Sequence, residues 1–254
     1  MKLLDAILLG IVEGITEFLP VSSTGHLILT SALLRLSNTE FLKTFEIAIQ
    51  LGAILSVVVL YARSLIKDPK SIRRVFVAFL PTAAIGFVAY KAVKQYLLGN
   101  QPVVVAALFI GGIILILFEM RNRKELRGGA TEISYRQAFL IGVFQSISMI
   151  PGVSRSAATI IGGLSLGLDR KTIVEFSFLL AIPTMAAATG LDILKNASSF
   201  SMAEFELLAT GFIVSFLVAL VCIKWLLRYI QNHSFISFGI YRIGVALVYW
   251  FVLR

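Results

Sequence analysis

Long apolar runs separated by short charged connectors dominate the pattern of hydrophobic and polar positions in this chain. Alternation of the strand type is absent, and several runs approach the ~20 residues that cross ~30 Å of hydrocarbon as a helix. The pattern therefore favours a helical membrane bundle over a transmembrane barrel. Six runs are long enough to predict transmembrane helices, at residues 43–63, 75–97, 102–119, 173–194, 205–230 and 235–253.

Four further apolar segments are too short or too interrupted to cross a membrane. Residues 3–19 and 134–150 each run up to a proline, and the shorter segments 24–36 and 156–167 follow them. We predict that each pair forms a re-entrant helix hairpin, which enters the membrane and returns on the same side. Irregular backbone at that depth is tolerated only where protein or a water-filled cavity covers it.

The two predicted hairpins belong to an internal repeat. A shift of 132 residues superposes GIVEGITEFLPVSSTGH (10–26) on GVFQSISMIPGVSRSAA (142–158), and three long runs then follow in each half. An odd number of crossings per copy inverts one copy relative to the other, an architecture that places sites between copies near the bilayer midplane. We predict an all-α integral membrane protein of two inverted-topology repeats, each a re-entrant helix hairpin plus three transmembrane helices. This single membrane domain covers residues 1–254, with repeat one at about 1–121 and repeat two at about 133–254.

Composition and charge support a membrane protein. Hydrophobic residues make up 58% of the 254 residues, whereas soluble domains are roughly half apolar. The net charge of +9 could suit a nucleic-acid partner, but the basic residues lie in connectors, where they determine topology and contact membrane lipids. One side of the membrane receives fourteen of them and the other only seven. The positive-inside rule makes the first side cytoplasmic, so both termini and the first hairpin are predicted to face outward.

Two other features of the sequence narrow the class of protein. Lys2 precedes an apolar stretch, as in a signal peptide, but Glu13 and Glu17 interrupt that stretch and no small-residue cleavage pattern follows. We therefore expect no signal peptide. The single cysteine, Cys222, lies in an apolar run, where a packing role is predicted and no disulfide within the chain can form.

Acidic residues interrupt the first hairpin in the segment EGITEFLPVSSTGH (13–26). Glu13 and Glu17 are spaced i, i+4, so that a helix would place both carboxylates on one face. Ionisable groups within membrane segments are functional by default. Adjacent carboxylates repel unless one is protonated or a cation lies between them, and a divalent metal site is therefore predicted.

Hydroxyl residues follow in the same segment. Ser22, Ser23 and Thr24 come after a proline and before an apolar run, which is typical of a helix N-terminus and hence of an anion site. His26 lies close to these hydroxyls, and its neighbours favour a general acid/base or nucleophilic role. Plain helix capping and a structural histidine are the alternatives.

The second hairpin supplies a complementary motif, PGVSRSAAT (151–159). Ser154, Ser156 and Thr159 mark another helix start, and Arg155 adds a cationic fork suited to phosphate oxygens. The repeat aligns Arg155 with Ser23, so the acids and the histidine lie in one copy and the cation in the other. We predict one phosphate ester or anhydride site that needs both hairpins and lies near the outer membrane interface.

Other polar residues within long runs are weaker signals. Glu46, Gln50 and Glu175 lie early in predicted spans, where they could form hydrogen bonds behind the site or between packed helices. Arg242, in FGIYRIG, is predicted either to reach the cytoplasmic interface along its alkyl chain or to serve the site.

Together, the two motifs resemble the signatures of the bacterial undecaprenyl-diphosphate phosphatase family, which is linked to bacitracin resistance. The order and spacing of segments agree over essentially the whole chain, with one departure, Ala157, where the family commonly has glycine. The resemblance implies removal of the terminal phosphate from undecaprenyl diphosphate, dependence on Mg²⁺ or Ca²⁺, and location in the bacterial inner membrane. Its functional residues fall on Glu13, Glu17, Ser22, Ser23, His26, Ser154, Arg155, Ser156 and Thr159.

The expected roles follow from combining the motifs with the resemblance. We expect catalysis by Glu17, Ser23, His26 and Arg155, and metal binding by Glu13 and Glu17. Phosphate contacts are expected from Ser22, Thr24, Ser154, Ser156 and Thr159.

Several alternatives stay open at this point. Ser23 with His26 nearby is the favoured nucleophile, but His26 itself and an activated water are alternatives. A transporter or flippase of polyprenyl phosphates is the alternative function. The unrelated acid-phosphatase-like lipid phosphatases are disfavoured, because SRSAATII lacks their second catalytic histidine. A homodimer is also an expectation, although the sequence leaves the oligomeric state open.

Overall fold

Ten α-helices make up almost all of the regular structure in the part of the chain described by a computed structural model. That part comprises residues 1–37, 39–97, 100–121, 129–196 and 202–252. The basic connector at 122–128, counted in the prediction of topology, lies outside it. The helices are α1 (Leu3–Thr16), α2 (Ser23–Leu33), α3 (Glu40–Lys67), α4 (Pro69–Ala92), α5 (Gln101–Arg121), α6 (Tyr135–Ser146), α7 (Arg155–Ser165), α8 (Arg170–Asn196), α9 (Met202–Asn232) and α10 (Ile236–Val252).

Within the described ranges, four helices are long and apolar enough to cross a membrane, which makes the chain a multi-pass membrane protein. They are the segments Glu40–Arg63, Pro69–Ala89, Gln101–Arg121 and Glu204–Asn232, and they match four of the six predicted spans. The predicted span 235–253 forms a shorter apolar helix, α10. The predicted span 173–194 lies within α8, which is 27 residues long but is not among the four.

Two pairs of short helices contain the polar motifs, and each pair is broken in the middle. We call α1 with α2 the first broken pair and α6 with α7 the second broken pair. In the first, the backbone leaves the helix after Thr16 and resumes at Ser23. In the second, a 3₁₀ turn at Ile147–Met149 precedes Gly152, whose φ of 90° lies in the left-handed region that glycine adopts readily. The predicted breaks near the prolines are therefore present.

Apolar side chains anchor the first break inside the protein. Phe18 and Val21 are buried in the main hydrophobic cluster, together with residues of α8 and α9. Phe18 also meets Phe178 of α8 edge to face, with ring centroids 5.2 Å apart. Because irregular backbone within a membrane must be covered by protein, this burial holds the break in one place.

The two halves of the chain pack by exchanging partners. In the first half α1 packs on α9, and in the second half α6 packs on α4; α5 and α10 pack on each other. Glycines at equivalent repeat positions make both crossings close: a Cβ on Gly10 would lie 2.8 Å from the carbonyl oxygen of Gly211, and a Cβ on Gly142 would overlap that of Ala78. The broken pairs are thus fixed against opposite halves of the molecule.

Candidate active site

A cavity of about 200 Å³ lies where the two broken pairs meet, and it collects most of the polar residues singled out in the sequence. The first pair contributes four residues and the second pair four, while α3 and α8 close the remaining walls. The site therefore draws on both halves of the chain, as the repeat predicted. Its lining residues are Glu17, Ser22, Ser23, Thr24, Gln50, Ser148, Val153, Ser154, Arg155, Thr184 and Met185.

Glu17 contacts residues of both broken pairs in the cavity. Its Oε2 accepts a hydrogen bond of 2.6 Å from Oγ of Ser23, and its Oε1 forms an ion pair of 3.1 Å with Nη2 of Arg155. One carboxylate thus joins a hydroxyl at the start of α2 to a guanidinium at the start of α7. The side chains of Arg155 and Glu17 are only 11% and 5% exposed, and low exposure to water strengthens such contacts.

Arg155 is held by α8 as well as by Glu17. Its Nη1 donates to the carbonyl oxygen of Ser177 at 2.7 Å, and the guanidinium lies 5.9 Å from the ring centroid of Phe18. The Ser177 hydroxyl lies 2.6 Å from Oγ1 of Thr159, one turn further along α7. Nε of Arg155 is buried and has no hydrogen-bond partner among the described residues.

The serines at the start of α7 connect the two broken pairs. Oγ of Ser154 donates to the carbonyl oxygen of Leu19 at 3.4 Å and also caps α7 by accepting from the amide of Ala157. Oγ of Ser156 donates to the carbonyl oxygen of Phe18 at 2.9 Å. Ser154 lines the cavity, whereas Ser156 and Thr159 are buried beside it. Ser156 and Thr159, which were predicted to contact phosphate, therefore form hydrogen bonds behind the cavity surface and do not line the cavity.

His26 is bound on both ring nitrogens. Nδ1 lies 2.8 Å from the carbonyl oxygen of Ser22, and Nε2 lies 2.9 Å from the hydroxyl of Tyr241 on α10. A carbonyl oxygen can only accept, so Nδ1 carries the proton, and in the neutral ring Nε2 accepts from Tyr241. His26 does not line the cavity. The hydroxyl of Ser23 meets Glu17 instead, which places the histidine in a supporting position behind Ser22.

Glu13 lies beside Glu17 but does not itself line the cavity. It is completely buried, and neither carboxylate oxygen accepts a hydrogen bond from a described residue. Its charged neighbours are Glu17, Glu46 and Arg155. A buried carboxylate beside another carboxylate needs a proton or a cation.

The donor set around Glu13 fits a hard divalent cation. Carboxylate oxygens are the ligands that Mg²⁺ and Ca²⁺ prefer, and Mg²⁺ commonly takes only one or two from the protein. Among the described residues no cluster of three or more His, Cys, Asp or Glu side chains is arranged for a metal ion. Glu13 and Glu17 are the two residues that would hold such an ion.

Some residues of the cavity were missed or ranked low from the sequence. Ser148, Thr184 and Met185 carried no signal, because single hydroxyls and thioethers in apolar runs are common. Thr184 is held by Gln145, whose amide nitrogen donates to its hydroxyl at 3.1 Å and to that of Thr82 at 2.8 Å. Gln50, treated as a weak signal, lines the cavity.

Arg242 does not reach the cytoplasmic interface. The residue is 1% exposed, and its acceptors among the described residues are all backbone carbonyls, two of them in the breaks of the broken pairs. Of the two predicted locations, the interfacial one is therefore wrong.

Comparison with known proteins places the chain in a family. The family described as "Bacitracin resistance protein BacA" matches residues 6–248. A protein of Aquifex aeolicus (strain VF5) named undecaprenyl-diphosphatase is 55% identical over 246 residues, which are 96% of each chain. Proteins of the same name from Sulfurihydrogenibium sp. (strain YO3AOP1) and Wolinella succinogenes are 54% and 48% identical, over 98% and 100% of this chain and 99% of each relative. The chain, with its two-part polar cavity, therefore belongs to the bacitracin resistance protein BacA family.

Proposed function

We propose that this protein is a membrane phosphatase that hydrolyses undecaprenyl diphosphate to undecaprenyl phosphate and inorganic phosphate. The observation that carries the proposal is the chain of contacts from the Ser23 hydroxyl through Glu17 to Arg155, which joins a nucleophile, a base and a phosphate-binding cation in one cavity. The names of the relatives supply the substrate. The transporter alternative has no comparable support. Release of the monophosphate carrier lipid would serve cell-wall synthesis and bacitracin resistance.

Ser23 is the nucleophile that the geometry favours. Its Oγ attacks the terminal phosphorus while its proton passes to Oε2 of Glu17, and the P–O bond to undecaprenyl phosphate breaks. Glu17 passes this proton to the departing undecaprenyl phosphate. Water then attacks the phosphoserine and gives a proton to Glu17, the bond between phosphorus and Oγ breaks, and Glu17 returns the proton to Oγ of Ser23 as inorganic phosphate leaves. Arg155 and the amides at the start of α2 bind the phosphate oxygens on which charge concentrates.

A divalent cation, Mg²⁺ or Ca²⁺, is proposed at Glu13 and Glu17. When bound, it would offset the charge of the diphosphate. Glu13 is the better ligand of the two, because both of its oxygens lack protein partners among the described residues, whereas both oxygens of Glu17 are already engaged. Glu17 is accordingly assigned mainly to proton transfer.

The proposed location is the bacterial inner membrane, with the cavity open to the periplasmic side. The excess of basic residues in the opposite connectors supports this orientation. The exchange of packing partners between the halves supports the inverted repeat, with each broken pair as a re-entrant hairpin. All proposed chemical groups lie within one chain, so a homodimer, if formed, would not complete the site.

Phosphate release from a long-chain prenyl diphosphate by purified protein in detergent tests the function. The wild type, assayed with Mg²⁺ or Ca²⁺, is compared with Ser23→Ala, Glu17→Gln and Arg155→Ala. Loss of a nucleophile, a base or a charge-stabilising donor costs at least about 10²-fold in kcat, and chelation is expected to abolish wild-type activity reversibly.

Ser165→Ala is the matched control, because that hydroxyl bonds only within its own helix and lies away from the cavity. Its rate should match the wild type. Equal rates in all variants would contradict the site, and a chelator-resistant wild type would contradict the cation. Absence of phosphate release by the wild type in the presence of cation would reject the phosphatase.

A further inference from the structure

Arg242, on α10, is a buried cation whose partners are all neutral. Its guanidinium donates to four backbone carbonyls, and the ion pairs found among the described residues do not include it. The acceptors are Pro20 (Nη1, 3.3 Å), Gly152 (Nη2, 3.1 Å), Ala107 (Nη2, 3.0 Å) and Leu108 (Nε, 3.4 Å).

Two of these carbonyls occupy equivalent positions in the internal repeat. A shift of 132 residues brings Pro20 onto Gly152, and these residues lie in the breaks of the first and second broken pairs. Pro20 precedes Ser23 by three residues, and Gly152 precedes Arg155 by three. Three residues span at most about 11 Å. The guanidinium thus joins the two breaks at matching points directly behind the nucleophile and the phosphate-binding cation.

The other two carbonyls belong to α5, which provides a platform for the guanidinium. Gly111 leaves space for the guanidinium on this surface, since a Cβ at that position would overlap Nη2 of Arg242. Helix α5 packs on α10 along this face. The guanidinium therefore packs against α5 and, from that position, donates hydrogen bonds to both breaks.

Packing alone does not explain a charge in this position. Burial of an unpaired cation is costly, and an apolar side chain of similar volume often stabilises a protein equally well. What arginine offers is a planar group whose donors point in fixed directions and can hold several acceptors at once. This is the property required to keep two backbone segments in a fixed relation.

We propose that Arg242 is a positioning residue that fixes the two broken pairs relative to each other, so that Ser23 and Arg155 face the same cavity. This role rests on the proposed function, in which one phosphate must meet both residues. A displacement of about 1 Å between reacting groups can reduce a rate about 10²-fold. Substrate affinity should change less, because each broken pair keeps its own phosphate contacts and the lipid chain remains in the membrane.

Three variants test the proposal. Arg242→Met removes the hydrogen-bond donors of the guanidinium while keeping an apolar side chain. Gly111→Ala places a methyl group where the guanidinium packs on α5, while the arginine itself is kept. Gly244→Ala is the matched control, because a Cβ at that position on α10 meets nothing within 4 Å. Nitroxide labels at Ile15 and Ile147, exposed equivalent positions on the two pairs, report the distance between the pairs by double electron–electron resonance in a Cys222→Ala background.

In folded, monodisperse protein, Arg242→Met and Gly111→Ala should broaden the distance distribution and lower kcat about 10²-fold, with KM changed less than about threefold. Gly244→Ala should match the parent in both measurements. Arg242→Lys, which keeps the charge but not the fork, replaces either test variant that fails to fold and should show the same broadening.

The proposal would be overturned if Arg242→Met and Gly111→Ala kept the distance distribution and had the same kcat per folded molecule as Gly244→Ala. If these variants lost only thermal stability, Arg242 would have only a packing role. If the wild type releases no phosphate, the proposed function fails, and the distance measurement still decides whether Arg242 joins the two pairs.

Discussion

Ser22 has a backbone conformation that few non-glycine residues adopt. Its φ of 73° lies in the left-handed region, which costs on the order of 1–3 kcal/mol unless neighbouring contacts enforce it. His26 provides such contacts, because its backbone amide and its Nδ1 both bond the Ser22 carbonyl, at 3.3 and 2.8 Å. The histidine thereby stabilises the turn that directs Ser23 toward Glu17.

Replacement of Tyr241 by phenylalanine tests this supporting role of His26. The variant loses only the hydroxyl that bonds Nε2, and a hydrogen bond of this kind contributes about 0.5–1.5 kcal/mol. We expect kcat to fall about 2- to 12-fold while the pH dependence of kcat keeps its shape, because His26 does not accept the Ser23 proton. A displaced pH profile would instead assign proton transfer to the histidine.

The chemical types in the cavity were predictable from the sequence, but their pairing was not. Intramembrane Glu13, Glu17 and Arg155 were identifiable because buried charges are rare and expensive. The partner of Ser23 was not, since Glu17, six residues before it, and His26, three residues after it, are both near in the chain and only the bend at Ser22 decides between them. Tyr241 carried no signal, because a single tyrosine in an apolar run is common and nothing in the sequence links it to His26.

At the level of helices, hydropathy located the elements but not their ends. The apolar run 43–63 lies inside α3, which extends from Glu40 to Lys67. A helix continues into water on polar residues, whereas an apolar run ends where the hydrocarbon does. The breaks were predictable because proline and clustered hydroxyl residues disfavour a continuous helix. The helices on which α1 and α6 pack were not predictable, because they depend on side-chain packing that a single sequence does not show.

The close crossing of α1 and α9 predicts a site of high sensitivity to added volume. A Cβ at Gly14 would lie 2.7 Å from the carbonyl oxygen of Ser215 and 2.8 Å from Cβ of Val218. Gly14→Ala should gain about 1 kcal/mol in helix propensity and lose about 1–3 kcal/mol to overpacking. We expect a lower midpoint of thermal unfolding in detergent than for Gly244→Ala. An equal or higher midpoint would show that α1 shifts freely on α9.

At the scale of the whole molecule, the two halves interlock. Each broken pair packs on a long helix of the other half, and the pairs meet at the cavity through hydrogen bonds from Ser154 and Ser156 to the first break. The sequence repeat predicted two copies of one unit and a shared site. The repeat does not specify which helices the copies exchange as packing partners, because that depends on contacts between residues far apart in the chain, 60 positions for Thr82 and Gly142 and 201 for Gly10 and Gly211.

The proposed orientation makes a prediction about chemical accessibility. In a Cys222→Ala background, Thr24→Cys, in the cavity, should react with a membrane-impermeant maleimide added outside intact spheroplasts, since Thr24 is exposed. Lys70→Cys, in the first turn of α4, should react only after the membrane is opened. The reverse pattern of labelling would place the cavity on the cytoplasmic side.

The ion pair between Arg155 and Glu17 has a consequence for the end of each reaction cycle. The Glu17 carboxylate can rebind the Arg155 guanidinium, so it competes with the departing inorganic phosphate for that cation. Free phosphate from the surroundings meets the same competitor, whereas a lipid diphosphate is concentrated by the membrane and binds with two phosphates. We therefore expect inorganic phosphate to inhibit the reaction only weakly, because Glu17 competes with it for Arg155.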